Sequence, residues 1–121
     1  MKILVSGSRD WTDARKIQEE IFRALYETKT PHVEAALIHG ACPTGADALA
    51  DAYARETGMH ILSFPAEWKL YGRYAGYRRN VEMVSTIPDI CLAFIRNGSR
   101  GASMTADFAE EARIETRRFL A

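Results

Sequence analysis

A Gly- and Ser-rich segment in the last third of the chain has the residue types that bind anions. Gly98 and Gly101 can adopt positive φ angles and let another group approach the backbone. Ser99, Ser103 and Thr105 offer hydroxyls, and Arg100 offers a planar cation. A helix that begins here would add its first free N–H groups as donors to a phosphate. Because the same residue types also serve simple chain reversal, this segment alone leaves both a phosphate cradle and an ordinary turn open.

Two earlier segments also combine glycine with polar or charged side chains. The first contains Gly7, Ser8, Arg9 and Asp10. Arg9 could contact a phosphate and Asp10 a ribose hydroxyl, or the two could form a surface ion pair or a helix start. The position after an apolar run favours contact with a ligand.

The second segment contains His39, Gly40, Gly45 and Asp47. His39 could form a hydrogen bond with a ligand or hold two loops together. Gly40 and Gly45 permit close approach of another group to the backbone. Asp47 could stabilise the start of a helix through the helix dipole, or it could bind a ribose or a base.

An aromatic and basic stretch follows Pro65 and shows no clear helix or strand period. Its rings could stack on a base and its guanidinium groups could bind phosphate, although the same mixture forms dimer interfaces and platforms for single-stranded nucleic acid. We expect one or two rings to stack on a nucleotide and the others to pack in a dimer. The rings are Trp68, Tyr71, Tyr74 and Tyr77, and the cations are Arg73, Arg78 and Arg79.

Three further side chains carry groups that could react. Glu67 could take part in acid–base chemistry, although a solvated glutamate is the simpler interpretation. Cys42 could be a nucleophile, but no partner pattern supports that role. Cys42 and Cys91 form neither a disulfide framework nor a zinc pattern, so we expect reduced, buried thiols, no metal and no cofactor.

Short apolar runs that predict strands alternate along the chain with segments whose apolar residues recur at helical spacing. The strands are predicted at residues 2–6, 35–39, 59–64, 90–95 and 115–120, and the helices begin near Thr12, Thr44, Gly76 and the Gly/Ser segment, with Val81, Met83 and Val84 facing inward. This alternation predicts an α/β fold. It is a three-layer Rossmann-like sandwich with a mainly parallel five-stranded sheet and helices on both faces, formed by a single domain of residues 1–121.

All the unusual loops follow predicted strands. Because the carboxyl ends of parallel strands meet at one edge of a sheet, and ligands bind beyond that edge, we expect these loops to form one ligand site.

The composition limits the classes of partner. Basic and acidic residues balance at 16 each, so no global field draws the chain to nucleic acid or a membrane, although a local basic patch is possible. Met1 and Lys2 lead directly into a strand, without a long apolar segment or cleavage site, so we expect neither secretion nor a membrane span. Together with reduced thiols, this favours the cytoplasm.

With these loops in hand, the chain resembles the YspA-like branch of the SLOG superfamily, which is related to the LOG and DprA proteins, in a form common in actinobacterial viruses. The resemblance covers nearly the whole chain. Its motifs lie at residues 5–9, 39–47, 65–68, 78–80 and 97–101, the last together with Phe94. It implies a Rossmann-like fold and a nucleotide-derived ligand, and it adds Asn80 to the expected binding residues.

The LOG-type enzymes cleave the N-glycosidic bond of a nucleoside monophosphate with a helix arginine and a glutamate that follows a Pro-Gly-Gly-x-Gly-Thr loop. Arg79 matches that arginine in context, which implies a catalytic or phosphate-holding role. This chain lacks the Pro-Gly-Gly, and its nearest acid is Asp107, one methylene shorter. A hydrolase would therefore use Asp107 or Glu67, because an oxocarbenium-like transition state needs a carboxylate near the ribose.

Three functions remain as alternatives. The first is binding of a phosphorylated nucleotide or nucleotide derivative, with the phosphate on residues 98–103 and the base against the aromatic stretch. The second is hydrolysis of the N-glycosidic bond in such a ligand. The third is DprA-like binding of nucleic acid, which zero net charge does not favour. Family analogy and the aromatic residues at 68–77 favour a homodimer.

Overall fold

The computed structural model describes all 121 residues and contains one five-stranded sheet. The strands are β1 (Lys2–Gly7), β2 (Ala36–His39), β3 (His60–Ser63), β4 (Ile90–Ile95) and β5 (Glu115–Leu120). They lie in the order β3-β2-β1-β4-β5, and every neighbouring pair is parallel. The five predicted strands and the α/β class are therefore confirmed, and the sheet is parallel throughout.

Five helices connect the strands. They are α1 (Ala14–Glu27), α2 (Gly45–Thr57), α3 (Trp68–Tyr71), α4 (Ala75–Ser85) and α5 (Arg100–Glu111), with short 3₁₀ turns at His32–Glu34 and Gly72–Tyr74. The aromatic stretch after Pro65 thus contains a short helix and a turn, which its sequence did not predict. None of the helices is long and apolar enough to cross a membrane.

Both faces of the sheet are covered, which confirms the three-layer Rossmann-like sandwich. Alternate residues of β1 enter different cores, as expected for a strand buried on both sides. Ile3 and Val5 pack with α1 and α2, whereas Leu4 packs with Met83 of α4 and Ala109 of α5. Helices that follow β1 and β4 therefore cover opposite faces. This places the switch in strand order between β1 and β4, where such sheets bind ligands.

The ends of the first two helices differ in part from the prediction. Asp13, not Thr12, caps α1, because its carboxylate accepts the N–H of Lys16 at 3.1 Å. Thr44 precedes α2 as predicted, but its hydroxyl donates to the carbonyl of Arg9 at 3.0 Å instead of capping the helix. The hydroxyl of Thr44 therefore joins two loops of the predicted site.

One residue of α4 lies on a different side from the predicted one. Met83 is buried and Val84 packs partly against the core, but Val81 is 39% exposed. Because α4 turns Asn80 inward, the next residue along the helix is directed outward. The prediction for Val81 was wrong because a polar residue occupies the inward position.

Candidate functional site

A cleft of about 820 Å³ opens at the carboxyl ends of β1, β2 and β4. This volume lies within the range of small-molecule sites. All four expected loops contribute to its wall. The predicted site residues that line it are Gly7, Ser8, Arg9, Asp10, Gly40, Asp47, Trp68, Arg79, Asn80, Ser99 and Gly101. Those that do not are His39, Gly45, Glu67, Arg78, Gly98, Arg100, Ser103 and Asp107.

Ser8 joins the loops that follow β1 and β4. It is only 1% exposed, and its hydroxyl accepts the N–H of Arg96 at 2.7 Å and faces the carbonyl of Arg96 at 3.2 Å. Its own N–H donates to the carbonyl of Phe94 at 2.9 Å. Asp10 continues this contact, since its carboxylate accepts the Asn97 side-chain amide at 3.3 Å. These bonds hold two strand ends together at the switch point.

Two glycines let α2 pack tightly against β1. A Cβ at Gly7 would lie 2.8 Å from the carbonyl oxygen of Phe94 and would also collide with Ala46. Gly45 has a φ of +73° and lies against the backbone of Ser8 and Arg9. The N–H of Ala46 then donates to the carbonyl of Ser8 at 3.2 Å. The start of α2 is therefore partly closed by the loop after β1.

His39 holds the loop after β2 in place. It is buried, its Nδ1 accepts the N–H of Ala41 at 2.9 Å, and its Nε2 lies 2.8 Å from the carboxylate of Asp51. Because Nδ1 accepts, the proton belongs on Nε2, which donates to Asp51. Both ring nitrogens are thus used within the protein, which fits the loop-holding interpretation.

Arg79 extends from α4 into the cleft and lies flat against Gly40. Its Nη1 donates to the carbonyl of Gly40, and its Nε donates to the side chain of Asn80 at 2.8 Å. A Cβ at Gly40 would lie 2.9 Å from the guanidinium carbon, so glycine makes this contact possible. Burial lowers the pKa of Arg79, the charge of Arg9 lowers it further, and Asp47 opposes the change. Arg9 and Arg79 therefore bring like charges to one cleft.

Asp47 is the buried carboxylate of the cleft. It lies in the first turn of α2, is 7% exposed, and accepts the N–H of Cys42 at 3.3 Å. Burial raises its pKa, while the N–H of Cys42 and the charge of Arg79 act in the opposite direction. No cation lies within ion-pair distance of its oxygens.

The start of α5 presents free backbone donors. The first N–H of this helix to find an acceptor belongs to Ser103, which donates to the carbonyl of Ser99 at 3.1 Å. The N–H groups of Arg100, Gly101 and Ala102 have no acceptor in the protein. Ser99, Gly101 and Ala102 line the cleft, so the positive end of the helix dipole lies at its wall.

The aromatic stretch divides between the cleft and the outer surface. Trp68 lines the cleft and is 53% exposed. The ring of Tyr71 lies 4.2 Å below the guanidinium carbon of Arg78, and Tyr77 packs edge-on against Phe108 at 5.4 Å. The cleft is not lined by Tyr71, Tyr74 or Tyr77. Only one of the predicted stacking rings therefore has the required position.

The two carboxylates expected for hydrolysis lie outside the cleft. Asp107 is on the outer side of α5 with its side chain 62% exposed, where Arg118 donates to it at 2.7 Å. Glu67 is exposed at the start of α3. The positions of Asp107 and Glu67 therefore do not support a catalytic role for either carboxylate on a ligand bound in the cleft. Arg100, Gly98 and Ser103 also lie outside its lining, although their backbone helps to form the start of α5.

Among the other polar lining residues, Arg96 was not singled out from the sequence, whereas the hydroxyl of Thr105 and the thiol of Cys42 were considered. Arg96 follows β4 directly, as Arg9 follows β1, and its Nη1 donates to the carbonyl of Asp10 at 2.9 Å. This position directly after a strand, which Arg96 shares with Arg9, is the sequence feature that could have identified Arg96 as a site residue. Thr105 is buried one helical turn after Gly101, and its hydroxyl donates to the Gly101 carbonyl at 3.3 Å. Cys42 lines the cleft and is partly exposed, so the prediction of a buried thiol was wrong for it, whereas Cys91 is buried.

Comparison with known proteins gives a family but no ligand. A family model described as the YspA, cpYpsA-related SLOG family matches residues 1–71. The Gene 61 protein of Mycobacterium phage D29 is 32% identical over 118 residues, which cover 93% of this chain and 91% of that protein. No solved structure matches the chain significantly. The chain belongs to the YspA, cpYpsA-related SLOG family.

Proposed function

We propose that the protein binds a phosphorylated nucleotide or a nucleotide-derived small molecule in the cleft at the carboxyl edge of the sheet. The observation that carries this proposal is the start of α5. Three backbone N–H groups have no acceptor there, at the positive end of a helix, and two of them belong to residues that line the cleft, Gly101 and Ala102. Phosphate binds at such helix starts because the N–H groups donate to its oxygens and the helix dipole favours negative charge.

The balance of charge in the cleft supports an anionic ligand. Arg9, Arg79 and Arg96 line it, against the carboxylates of Asp10 and Asp47. Arg9 and Arg79 bring like charges to the same cleft, and the pKa of Arg79, lowered mainly by burial, is lowered further by the charge of Arg9. An anion between them would remove this repulsion and would accept hydrogen bonds from both forks.

The base of the ligand has one suitable ring. Trp68 lines the cleft next to Ala66, and about half of its surface is exposed. An indole face is large enough to stack on any base, so this contact gives affinity without selecting the base.

Hydrolysis of the ligand has weaker support than binding. The carboxylates that line the cleft are Asp10 and Asp47, whereas Asp107 and Glu67 do not line it. Incubation with AMP and CMP, followed by chromatography for free base, tests hydrolysis directly. We expect no base to be released under conditions where a nucleotide raises the melting temperature, and release of base would establish the hydrolase instead.

Two adjacent arginines of α4 provide a matched test of the binding site. Arg79 reaches the cleft, while Arg78 stacks on Tyr71 outside it. A thermal-shift screen with nucleoside mono- and diphosphates identifies a probe, and calorimetry gives its Kd. We expect Arg79→Lys to weaken binding about tenfold or more, because lysine lacks the planar fork, and Arg78→Lys to change it less than about twofold. A screen without any shift, or equal losses in both variants, would refute the proposed site.

The proposal includes a homodimer that forms through the outer face of α3 and α4. Leu70 of α3, Tyr74 of the 3₁₀ turn that follows it and Tyr77 of α4 are large apolar side chains that are each more than half exposed. Clustered exposed rings of this kind are typical of protein interfaces. Sedimentation equilibrium of the wild-type protein at micromolar concentration should show a dimer. Tyr74→Glu should dissociate it, whereas Tyr26→Glu, at an exposed position of α1, should leave it intact. A wild-type monomer would contradict it.

A further inference from the structure

The contacts that Asp47 forms within the protein do not explain well why its carboxylate is buried. It is more than nine-tenths buried, yet it forms no ion pair. The backbone N–H groups that act on its carboxylate are those of Cys42, at the long distance of 3.3 Å, and of Gly40. It bonds none of the N–H groups of α2, although it lies in the first turn of that helix. A buried carboxylate is costly unless its oxygens are well satisfied.

The nearby cation does not satisfy Asp47. Arg79 directs Nη1 to the carbonyl of Gly40 and Nε to Asn80, so its described hydrogen bonds go elsewhere. A carboxylate has about four lone-pair directions, and the N–H groups of Cys42 and Gly40 account for at most two of them. Because Asp47 lines the cleft, its remaining directions are available to a ligand there.

The charge of Asp47 limits which part of a ligand can bind it. A phosphate would be repelled by the carboxylate, and the start of α5 offers it free donors elsewhere in the same cleft. A sugar hydroxyl is neutral and donates one hydrogen bond, which is what an ionised carboxylate accepts. The two ends of a nucleotide therefore match two different regions of the cleft.

We propose that Asp47 is the specificity residue that accepts hydrogen bonds from the ribose hydroxyls of the ligand and so selects ribonucleotides over nucleotides that lack those hydroxyls. The inference rests on the proposed function, because it assumes that a nucleotide occupies the cleft. It goes beyond that function by naming the sugar as the selected group.

The test compares each ribonucleoside 5′-monophosphate with its 2′,3′-dideoxy form, for the four common bases, by calorimetry on the full chain. For the base that binds best, we expect wild-type protein to bind the ribonucleotide about tenfold or more tightly. In Asp47→Ala this ratio should fall to about one, because the acceptor is gone while the rest of the cleft remains. Equal affinity for both forms in the wild-type protein would refute the inference.

A purely structural role for Asp47 gives a different result. If Asp47 only holds the loop of Cys42, its removal weakens both nucleotides by the same factor and leaves their ratio unchanged, which overturns the inference. Asp47→Asn keeps an acceptor for the N–H of Cys42 but loses the charge, so it should fold even if the alanine variant does not, and its ratio should fall several-fold. Absence of binding by all eight probes would instead refute the proposed function.

Discussion

Replacement of Gly45 by alanine should be among the most damaging single changes at the cleft. The residue has a φ of +73°, and a Cβ there would lie 2.6 Å from the carbonyl carbon of Arg9 and closer still to the carbonyl oxygen of Ser8. Both obstacles are backbone atoms, so no side-chain rotation relieves the contact. The left-handed conformation costs alanine about 1–2 kcal/mol. Overpacking against rigid neighbours adds about 1–3 kcal/mol. The free energy of unfolding should therefore fall by about 2–5 kcal/mol.

Two other glycines separate the cost of the left-handed conformation from the cost of overpacking. Gly98 has a φ of +63° but has no atom within 4 Å of an added Cβ, so Gly98→Ala should cost only the conformational term, about 1–2 kcal/mol. Gly101 lies in α5 with an ordinary φ and open space, so Gly101→Ala should be neutral or stabilising by up to about 1 kcal/mol. Urea unfolding of the three variants measures each value. If Gly45→Ala costs no more than Gly98→Ala, the close packing of α2 on the loop after β1 is wrong.

Two further predictions concern polar groups at the same edge. Because burial raises the pKa of Asp47, the folded state holds the proton of this carboxyl more tightly than the unfolded state, and stability is lost as the pH rises through the raised pKa. The stability of Asp47→Asn relative to wild type should therefore be greatest at neutral pH and shrink towards about pH 4. Urea unfolding that gives the same difference at every pH would contradict this prediction. Ser8→Ala should lower the free energy of unfolding by about 1–3 kcal/mol, because the N–H of Arg96 loses its buried acceptor. The hydroxyl of Ser103 has no partner in the protein, so Ser103→Ala should change the free energy of unfolding by less than about 0.5 kcal/mol.

The fold was predictable because its signals are local. Each buried strand is a short apolar run, and β5 shows alternation even though it contains two arginines. Arg117 pairs with Glu27 of α1 on one face and Arg118 with Asp107 and Glu110 of α5 on the other. Successive side chains of a β-strand point to opposite faces of the sheet, so these two neighbouring arginines pair on opposite sides.

The site was only partly predictable because long-range contacts decide which polar groups stay available. Asp107 has the right residue type near the right loop, but it is taken by Arg118, which arrives on a separate strand. His39 ends β2 at the expected edge, but Asp51 of α2 and the N–H of Ala41 occupy its ring nitrogens. Arg118 and Asp51 lie on other elements, so nothing within the segments of Asp107 and His39 shows these two partners, which depend on how the elements pack.

The two helix starts at the cleft favour one direction of the bound ligand. Helices α2 and α5 both begin at this edge, so either could bind a phosphate by its dipole. At α2 the N–H of Ala46 is already bonded to Ser8, and the carboxylate of Asp47 lies beside it. At α5 three N–H groups are free and no carboxylate of that helix lines the cleft. Phosphate should therefore bind at α5 and the sugar towards α2, because these two helix starts differ in the hydrogen bonds and the charge they already hold.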